Sequence, residues 1–277
     1  MQLPGEGQYF LVIRNKKMPK LQITKEYLSH HEVHMARQTE ASHITVKYRS
    51  RDAVKLLIGL LGLEALLATA HIFLWVIWPD APVSFVRFLL DLDEEVALGT
   101  WFATVQLFVI GGVLLFASWA NKDDRSLSAV LLLGGLLFTL LSADEGARIH
   151  ERITFFMREH DVEVLNPFPG EHGAWILVYA ALALLLLPMV GFCLRNPLCR
   201  IWQRFRWESV VFLGGFATIV VGAVGFEILS YLFLRSESSP DFLYHLEVAI
   251  EEGLEMAGAS VILYAALEMS ASLCSER

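Results

Sequence analysis

The stretch FLYHLEVAIEEGLEMAGASVILYAAL, residues 242–267, decides the fold. Its last part, Met256 to Leu267, is apolar but covers only about 18 Å at about 1.5 Å per residue. A helix that crosses roughly 30 Å of hydrocarbon needs about eight more residues, and these are Val248 to Glu255. The stretch therefore predicts a membrane helix that carries several glutamates below the level of the lipid headgroups.

Five other stretches are long and apolar enough to cross a membrane as helices. They are Leu56–Trp78, Val96–Ala120, Leu127–Ala143, Ala174–Leu194 and Val210–Leu234. With Phe242–Leu267 they predict an all-α, polytopic bundle of six transmembrane helices at residues 53–272. A short cytoplasmic segment at 1–52, with a surface helix at about Lys25–Gln38, is expected before the bundle, and a cytoplasmic tail at 273–277 after it.

The composition supports a membrane protein and excludes other classes. Hydrophobic residues make up 55% of the chain and charged residues only 19%, with a mean hydropathy of +0.49. Soluble domains carry roughly a quarter charged residues. The net charge of −8 argues against a nucleic-acid partner, because binding to phosphates needs a basic surface. The lipid bilayer is the partner that the composition predicts.

The distribution of basic residues predicts the orientation. Seventeen of the 22 lysine and arginine residues fall on one side of the six predicted spans, mostly before the first. Basic loops face the cytoplasm in membrane proteins. We therefore expect both termini in the cytoplasm, and a plasma (inner) membrane as the location.

The acidic residues of the last span are predicted to share one face. At about 100° per residue, Glu247 and Glu255 lie within about 40° of Glu251, and Glu252 and His245 lie about 100–120° from it. A charged group in hydrocarbon costs about 2.5–3.5 kcal/mol on insertion scales, so such groups face the protein interior and mark functional sites. This face is therefore expected to meet polar side chains of other helices.

Acidic and histidine residues of other spans are expected at the same depth. The third span is short, so its end is predicted near Ala143, immediately before Asp144 and Glu145. Glu145 and His150 would reach one compact site only if Gly146 loosens the helix. The polar residues expected in the outer third of the membrane are His71, Asp144, Glu145, His150, Glu151, Glu227, His245, Glu247, Glu251, Glu252 and Glu255.

Carboxylates that lie close together need a cation or protons to neutralise them. A divalent metal (zinc, iron or manganese) is the first candidate, because carboxylates and imidazoles are its usual ligands. Its predicted ligands are His150, His245, Glu251, Glu252 and Glu255, with Glu145 and Glu252 as catalytic groups and His71, Asp144, Glu151 and Glu227 as further candidates. Protonated acids of a relay and ion pairs with Arg148 and Arg152 are the alternatives.

Two functions fit this pattern. One is a metal-dependent membrane enzyme, a hydrolase or oxidoreductase, that acts on a lipid or another small hydrophobic substrate. The other is a cation or proton channel or transporter that uses the same acids. A path through the inner leaflet would have only Glu64 and small residues to line it. A pore between the protomers of a homo-oligomer would avoid that difficulty.

Overall fold

A computed structural model describes residues 9–11, 46–48, 50–80, 82–94, 96–160, 174–230, 232 and 241–275. Two short strands, β1 (Tyr9–Leu11) and β2 (Val46–Tyr48), pair antiparallel, with Tyr9 opposite Tyr48. The helix predicted at Lys25–Gln38 lies outside the described residues. The strand pair precedes the first long helix directly.

The rest of the described chain is almost entirely helical. The helices are α1 (Ser50–Ile72), α2 (Ser84–Leu89), α3 (Leu98–Ala120), α4 (Arg125–Ala147), α5 (Ile149–Glu159), α6 (Ala174–Cys193), α7 (Arg195–Arg204), α8 (Arg206–Val220), α9 (Glu227–Leu229) and α10 (Asp241–Ser275). A π-helical turn, Phe73–Ile77, continues α1, and a second, Val221–Phe226, joins α8 to α9. Such turns insert an extra residue into a helix and often mark functional sites.

Six of these helical segments are candidate membrane spans by length and composition. They are Ser50–Ile77, Leu98–Ala120, Arg125–Ala147, Ala174–Cys193, Arg206–Leu229 and Asp241–Leu273. The all-α, six-span prediction is confirmed, and the chain is a multi-pass membrane protein. The end predicted for the third span near Ala143 is wrong: the helix continues to Ala147. Asp144 and Glu145 therefore lie in its last turn, and the left-handed conformation of Arg148 ends the helix.

The last helix, α10, lies at the centre of the bundle and packs against α1, α3 and α8. It runs antiparallel to α1, since His245 near its start contacts His71 near the end of α1. We call the end where α1 finishes and α10 begins the acidic end, and the opposite end the basic end. By contrast, α6 packs chiefly against the short helices α5 and α7.

Close helix pairs are built on glycine, as is common in membranes. A Cβ on Gly258 of α10 would lie 2.6 Å from the carbonyl oxygen of Gly215 in α8, and a Cβ on Gly215 would lie 2.7 Å from that of Gly258. Between α3 and α4, a Cβ on Gly111 would lie 3.0 Å from the carbonyl oxygen of Gly135, and a Cβ on Gly135 would lie 2.9 Å from the backbone nitrogen of Leu115. At these positions only glycine lets the two backbones approach so closely.

Two apolar clusters fill the bundle. Core 1, in the half toward the basic end, is formed by buried residues such as Ile110, Leu114, Phe138, Ile262 and Leu263. Core 2, toward the acidic end, includes Leu67, Ala103, Val248, Ala249 and Met256. The polar side chains that could carry a function therefore lie between and beyond these clusters.

The basic end is fixed by a helix cap. Asp124 precedes α4, and its Oδ1 accepts hydrogen bonds from the Leu127 backbone N–H at 3.1 Å and from Ser126 Oγ at 2.9 Å. Arg200 of α7 also donates to Asp124 Oδ2 at 3.0 Å. The backbone bond, together with Ser126 and Arg200, lowers the pKa of Asp124 to about 2. The carboxylate therefore ties α7 to the start of α4.

Candidate functional site

A cluster of carboxyl side chains lies in the acidic half of the bundle, between α4, α9 and α10. We call Glu145, Glu227, Glu247, Glu251, Glu252 and Glu255 the glutamate cluster. Glu252 interacts electrostatically with both Glu255 and Glu145, so α4 and α10 bring their carboxyls close together. Glu251 interacts electrostatically with Glu227, Glu247 and Glu252. The length argument for the last span thus identifies residues that the fold brings together.

The π-helical turn after α8 allows the approach to this cluster. A Cβ on Gly222 would lie 2.8 Å from Glu255 Cγ and 3.0 Å from the carbonyl oxygen of Glu251. Any larger residue would push the turn away from α10 at the level of the glutamates. The backbone at Gly222 therefore packs directly against one side of the cluster.

A break after α4 brings His150 back toward the same helix. Arg148 has the positive φ of 56° that a residue other than glycine rarely adopts, and the helix changes direction there. The His150 backbone N–H then donates to Asp144 Oδ1 at 2.9 Å, while its Nδ1 lies 3.5 Å from Asp144 Oδ2. Arg148 pairs with Glu151. Gly146, the residue at which a loosened helix was the condition for one compact site, stays within α4, and the break lies at Arg148.

His150 therefore lies among carboxylates. Burial alone would lower its pKa, but the hydrogen bond to Asp144 and the charges of Asp144, Glu145 and Glu151 outweigh burial and raise the pKa of His150 above its usual value. Its ring contacts that of Trp175, with centroids 5.5 Å apart. His150 also interacts electrostatically with Glu145, so it links the Asp144 group to the glutamate cluster.

A second polar group lies where α1 ends and α10 begins. His71 is fully buried, and its Nδ1 accepts a hydrogen bond from the Leu92 backbone N–H at 3.1 Å and lies 3.3 Å from Asp91 Oδ1. His245 packs on it, with ring centroids 5.4 Å apart, and stacks on Trp75 at 4.8 Å. The structure thus places His71 and His245 with each other and with Asp91.

A third group lies between the two apolar cores. Glu64 of α1 is 3% exposed, and its Oε1 accepts hydrogen bonds from Gln106 Nε2 at 2.9 Å and from Ser260 Oγ at 2.6 Å. Gln106 Nε2 also donates to Ser260 Oγ at 2.8 Å. We call these three residues the Glu64 layer. One helix supplies each member: α1, α3 and α10.

The sequence-predicted residues therefore divide into separate groups. Glu145, Glu227, Glu251, Glu252 and Glu255 come together, and Asp144, His150 and Glu151 form a neighbouring group around the Arg148 break. His71 and His245 form the group with Asp91. Among the described residues, no three histidine, cysteine, aspartate or glutamate side chains are placed to bind one metal ion. The metal-ligand set and the catalytic assignment of Glu145 and Glu252 stay predictions.

Sequence reasoning missed several polar partners. Gln106 and Ser260 complete the Glu64 layer, Asp91 contacts His71, and Tyr179 of α6 interacts electrostatically with Asp144. Gln106 is the single side-chain amide in the apolar run of α3, and that isolation is the signal by which it could have been found. A serine such as Ser260 carries no comparable signal, because serine is common at helix contacts in membranes.

Comparison with known proteins identifies a family but no characterised relative. No curated protein and no solved structure matches the chain. A family model described as a domain of unknown function, DUF8692, matches residues 59–270, a range that runs from α1 into α10 and includes the glutamate cluster and the Glu64 layer. Because this match covers well over half of the 277 residues, the chain belongs to the DUF8692 family.

Proposed function

We propose that this protein transports cations across the membrane and that the glutamate cluster is its outward-facing, proton-binding site. The observation that carries the proposal is the grouping of carboxyl side chains within the spans, where Glu251 interacts electrostatically with Glu247, Glu252 and Glu227. Like charges this near one another disfavour ionisation, so such a group favours bound protons or another cation. The cluster is therefore arranged to hold protons.

Charge balance supports a cation as the natural occupant. Residues 56–86, 126–147 and 236–276 contain no lysine or arginine, so α1, α4 and α10 bring neither of these cations to the cluster from within the membrane. Neighbouring carboxylates raise one another's energy unless a proton or another cation neutralises them. Oxygen ligands of this kind suit protons and hard metal cations.

The apolar packing of the other half favours a transporter over an open channel. Core 1 fills the bundle toward the basic end with side chains such as Ile110, Phe138 and Ile262, which are almost completely buried. A cation bound at the cluster thus reaches the opposite side only after the helices rearrange. The π-helical turns Phe73–Ile77 and Val221–Phe226 lie at the acidic end, where such a rearrangement would begin.

The proposed orientation places the acidic end outside and the basic end in the cytoplasm of a plasma (inner) membrane. The basic-residue count supports it. So does the strand β1, which contacts α10 and pairs with β2 beside the start of α1, because it brings the described N-terminal strands and the end of α10 to one side. The cluster then faces the extracellular or periplasmic solution.

Flux measurements on the reconstituted full chain test the proposal. Liposomes that contain the protein are expected to take up protons down an imposed pH gradient, read with an internal pH-sensitive dye. The double variant Glu252→Gln/Glu255→Gln should reduce this uptake to that of empty liposomes, whereas Glu94→Gln, an exposed carboxyl outside the cluster, should leave it unchanged. Wild-type uptake no greater than that of empty liposomes, for protons and for Na⁺, K⁺, Mg²⁺, Mn²⁺ and Zn²⁺, would overturn it.

A metal-dependent membrane enzyme acting on a hydrophobic substrate is the second candidate. It is favoured by the electrostatic interactions of Glu145 with both His150 and Glu252, which link an imidazole to the carboxyls of α10 through one side chain. These side chains would have to move together to bind one zinc, iron or manganese ion. Elemental analysis of the same wild-type and Glu252→Gln/Glu255→Gln preparations distinguishes the candidates, because only the enzyme predicts stoichiometric metal that the double variant loses.

A further inference from the structure

The Glu64 layer is a polar plane between two apolar clusters. One turn toward the basic end, Leu60 and Ile110 contribute to core 1, and one turn toward the acidic end, Leu67, Ala103 and Met256 belong to core 2. Glu64 and Gln106 are each 3% exposed, and Ser260 is fully buried. The carboxyl group is thus enclosed on both sides by hydrocarbon.

In the carboxyl group of Glu64 and in the amide group of Gln106, one polar atom has hydrogen-bond partners and the other has none. Glu64 Oε1 accepts from Gln106 and Ser260, whereas Glu64 Oε2 is buried and has no hydrogen-bond partner among the described residues. Gln106 donates through Nε2 to two oxygens, which fixes the orientation of the amide, but its Oε1 is likewise buried and unpartnered. Buried polar atoms are otherwise almost always hydrogen-bonded, so these two unpartnered oxygens in one layer favour a protonated Glu64, whose O–H would be a donor.

No described charge neutralises Glu64. Its hydrogen-bond partners are neutral, and α3 contains no titratable side chain. The nearest titratable groups on the same faces are His71 on α1 and Glu255 on α10, beyond Leu67 and Met256, and Tyr264 on the basic side, which interacts with Glu268 and Glu208. An ionised carboxylate so placed would be far more costly than a protonated one.

A proton satisfies this site with fewer ligands than a metal ion needs. Cations such as Mg²⁺ and Ca²⁺ take about six or more oxygen ligands. The layer offers three side chains, and α1, α3 and α10 are continuous helices there, whose backbone carbonyls are already used within the helix. A proton on Glu64 Oε2 needs a single acceptor, and the layer contains one buried acceptor without a hydrogen-bond partner, Gln106 Oε1.

We propose that Glu64 binds a proton on Oε2 in the middle of the bundle, with Gln106 and Ser260 as positioning residues, and that this proton exchanges with solvent when Leu67 and Met256 part. Binding converts the carboxylate to a carboxylic acid with no other change of bonding. A role of the Glu64 proton in transport rests on the proposed function, whereas the protonation of Glu64 does not. The glutamate cluster and the Glu64 layer are then two separate proton-binding sites.

Infrared spectroscopy of the full chain in liposomes tests the proposal. The difference spectrum between wild type and Glu64→Gln at neutral pH should show one carboxylic-acid carbonyl band that the variant lacks. The band should remain in Glu252→Gln/Glu255→Gln and in the control Glu94→Gln. In D₂O it should shift, because an exchanging proton is replaced by deuterium.

Each other result counts against the proposal. Absence of the band from the difference spectrum would show that Glu64 is ionised, and loss of the band on adding Na⁺ would assign the site to that ion. A band that does not shift in D₂O would mean that the proton on Glu64 does not exchange with solvent, so the acid would be structural only. If Glu64→Gln fails to fold while Glu64→Asp folds, the protonated state is also overturned, since a neutral amide closely resembles a neutral acid.

The two proposals fail in different ways. If liposomes show no flux but the Glu64 band is present and exchanges, the transport function is wrong and the buried proton site stands. If flux is present and depends on the glutamate cluster while the band is absent, transport stands and the Glu64 site is wrong. The infrared band therefore tests the Glu64 site independently of the flux measurement.

Discussion

The spans α6 and α10 differ in burial, and the difference is the opposite of the one that hydropathy alone predicts. The apolar window of α6 has a mean hydropathy of 2.5 and none of its residues is buried, whereas that of α10 has a value of 1.4 and 61% of its residues are buried. Lipid tails are as apolar as leucine, so a leucine gains little by leaving lipid for another helix. Polar groups and close-packing small residues decide which helix takes the centre, and α10 carries both.

The composition of each helix agrees with its position. Along α10, glutamates and Ser260 meet partners on α1, α3 and α4, and Gly258 lets α8 approach its backbone. Along α6, leucines such as Leu184, at 78% exposure, point away from the bundle. A polar substitution should therefore be costly on α6, and a size change should be costly on α10.

The largest effect is expected from a glutamate placed on α6. Leu184→Glu puts a carboxylate on the exposed face near the middle of this span, at a cost of about 3 kcal/mol for insertion. The amount of full-length protein in the membrane fraction should fall clearly, while the apolar control Leu184→Ile should insert like wild type. Normal insertion of Leu184→Glu would mean that another protein surface covers this face, as in a homo-oligomer.

Two glycine substitutions, one on each span, are expected to change the stability of the protein in opposite directions. Gly258→Ala on α10 drives a Cβ into the backbone of α8 and should destabilise the bundle by about 1–3 kcal/mol. Gly191→Ala on α6 meets nothing within 4 Å and should stabilise by up to about 1 kcal/mol through helix propensity. Thermal unfolding in one detergent measures both. Equal shifts would contradict the central position of α10.

The smallest effect concerns His150, beside the Arg148 break that connects α4 to α5. Because the pKa of His150 is raised in the folded protein, its contribution is complete below the unfolded value of about 6.5 and is lost as pH rises through the folded pKa. The hydrogen bond to Asp144 is worth on the order of 1 kcal/mol. Unfolding temperatures should thus fall as pH increases above neutrality in wild type and less so in His150→Gln. Parallel pH profiles for the two proteins would be evidence against a protonated His150.

The sequence predicted the features that depend on length and hydrophobicity, but not those that depend on packing. The depth of Glu252 and Glu255 came from the number of residues needed to cross a bilayer, and their contact with Glu145 is present in the structure. The position of the break at Arg148 depends on a single left-handed residue that no pattern marks. Likewise, the separation of His245 from the glutamates depends on how α1 and α10 rotate against each other, which hydropathy does not encode.

The backbone contact between Gly215 and Gly258 also bears on how the bundle moves. Two helices whose peptide groups touch have no layer of flexible side chains between them to absorb a relative shift. We therefore expect α8 and α10 to move together at this level, and the glutamates of α10 to move with them. Any motion that lets water past Leu67 and Met256 would then be a movement of α1 or α3 relative to this pair of helices.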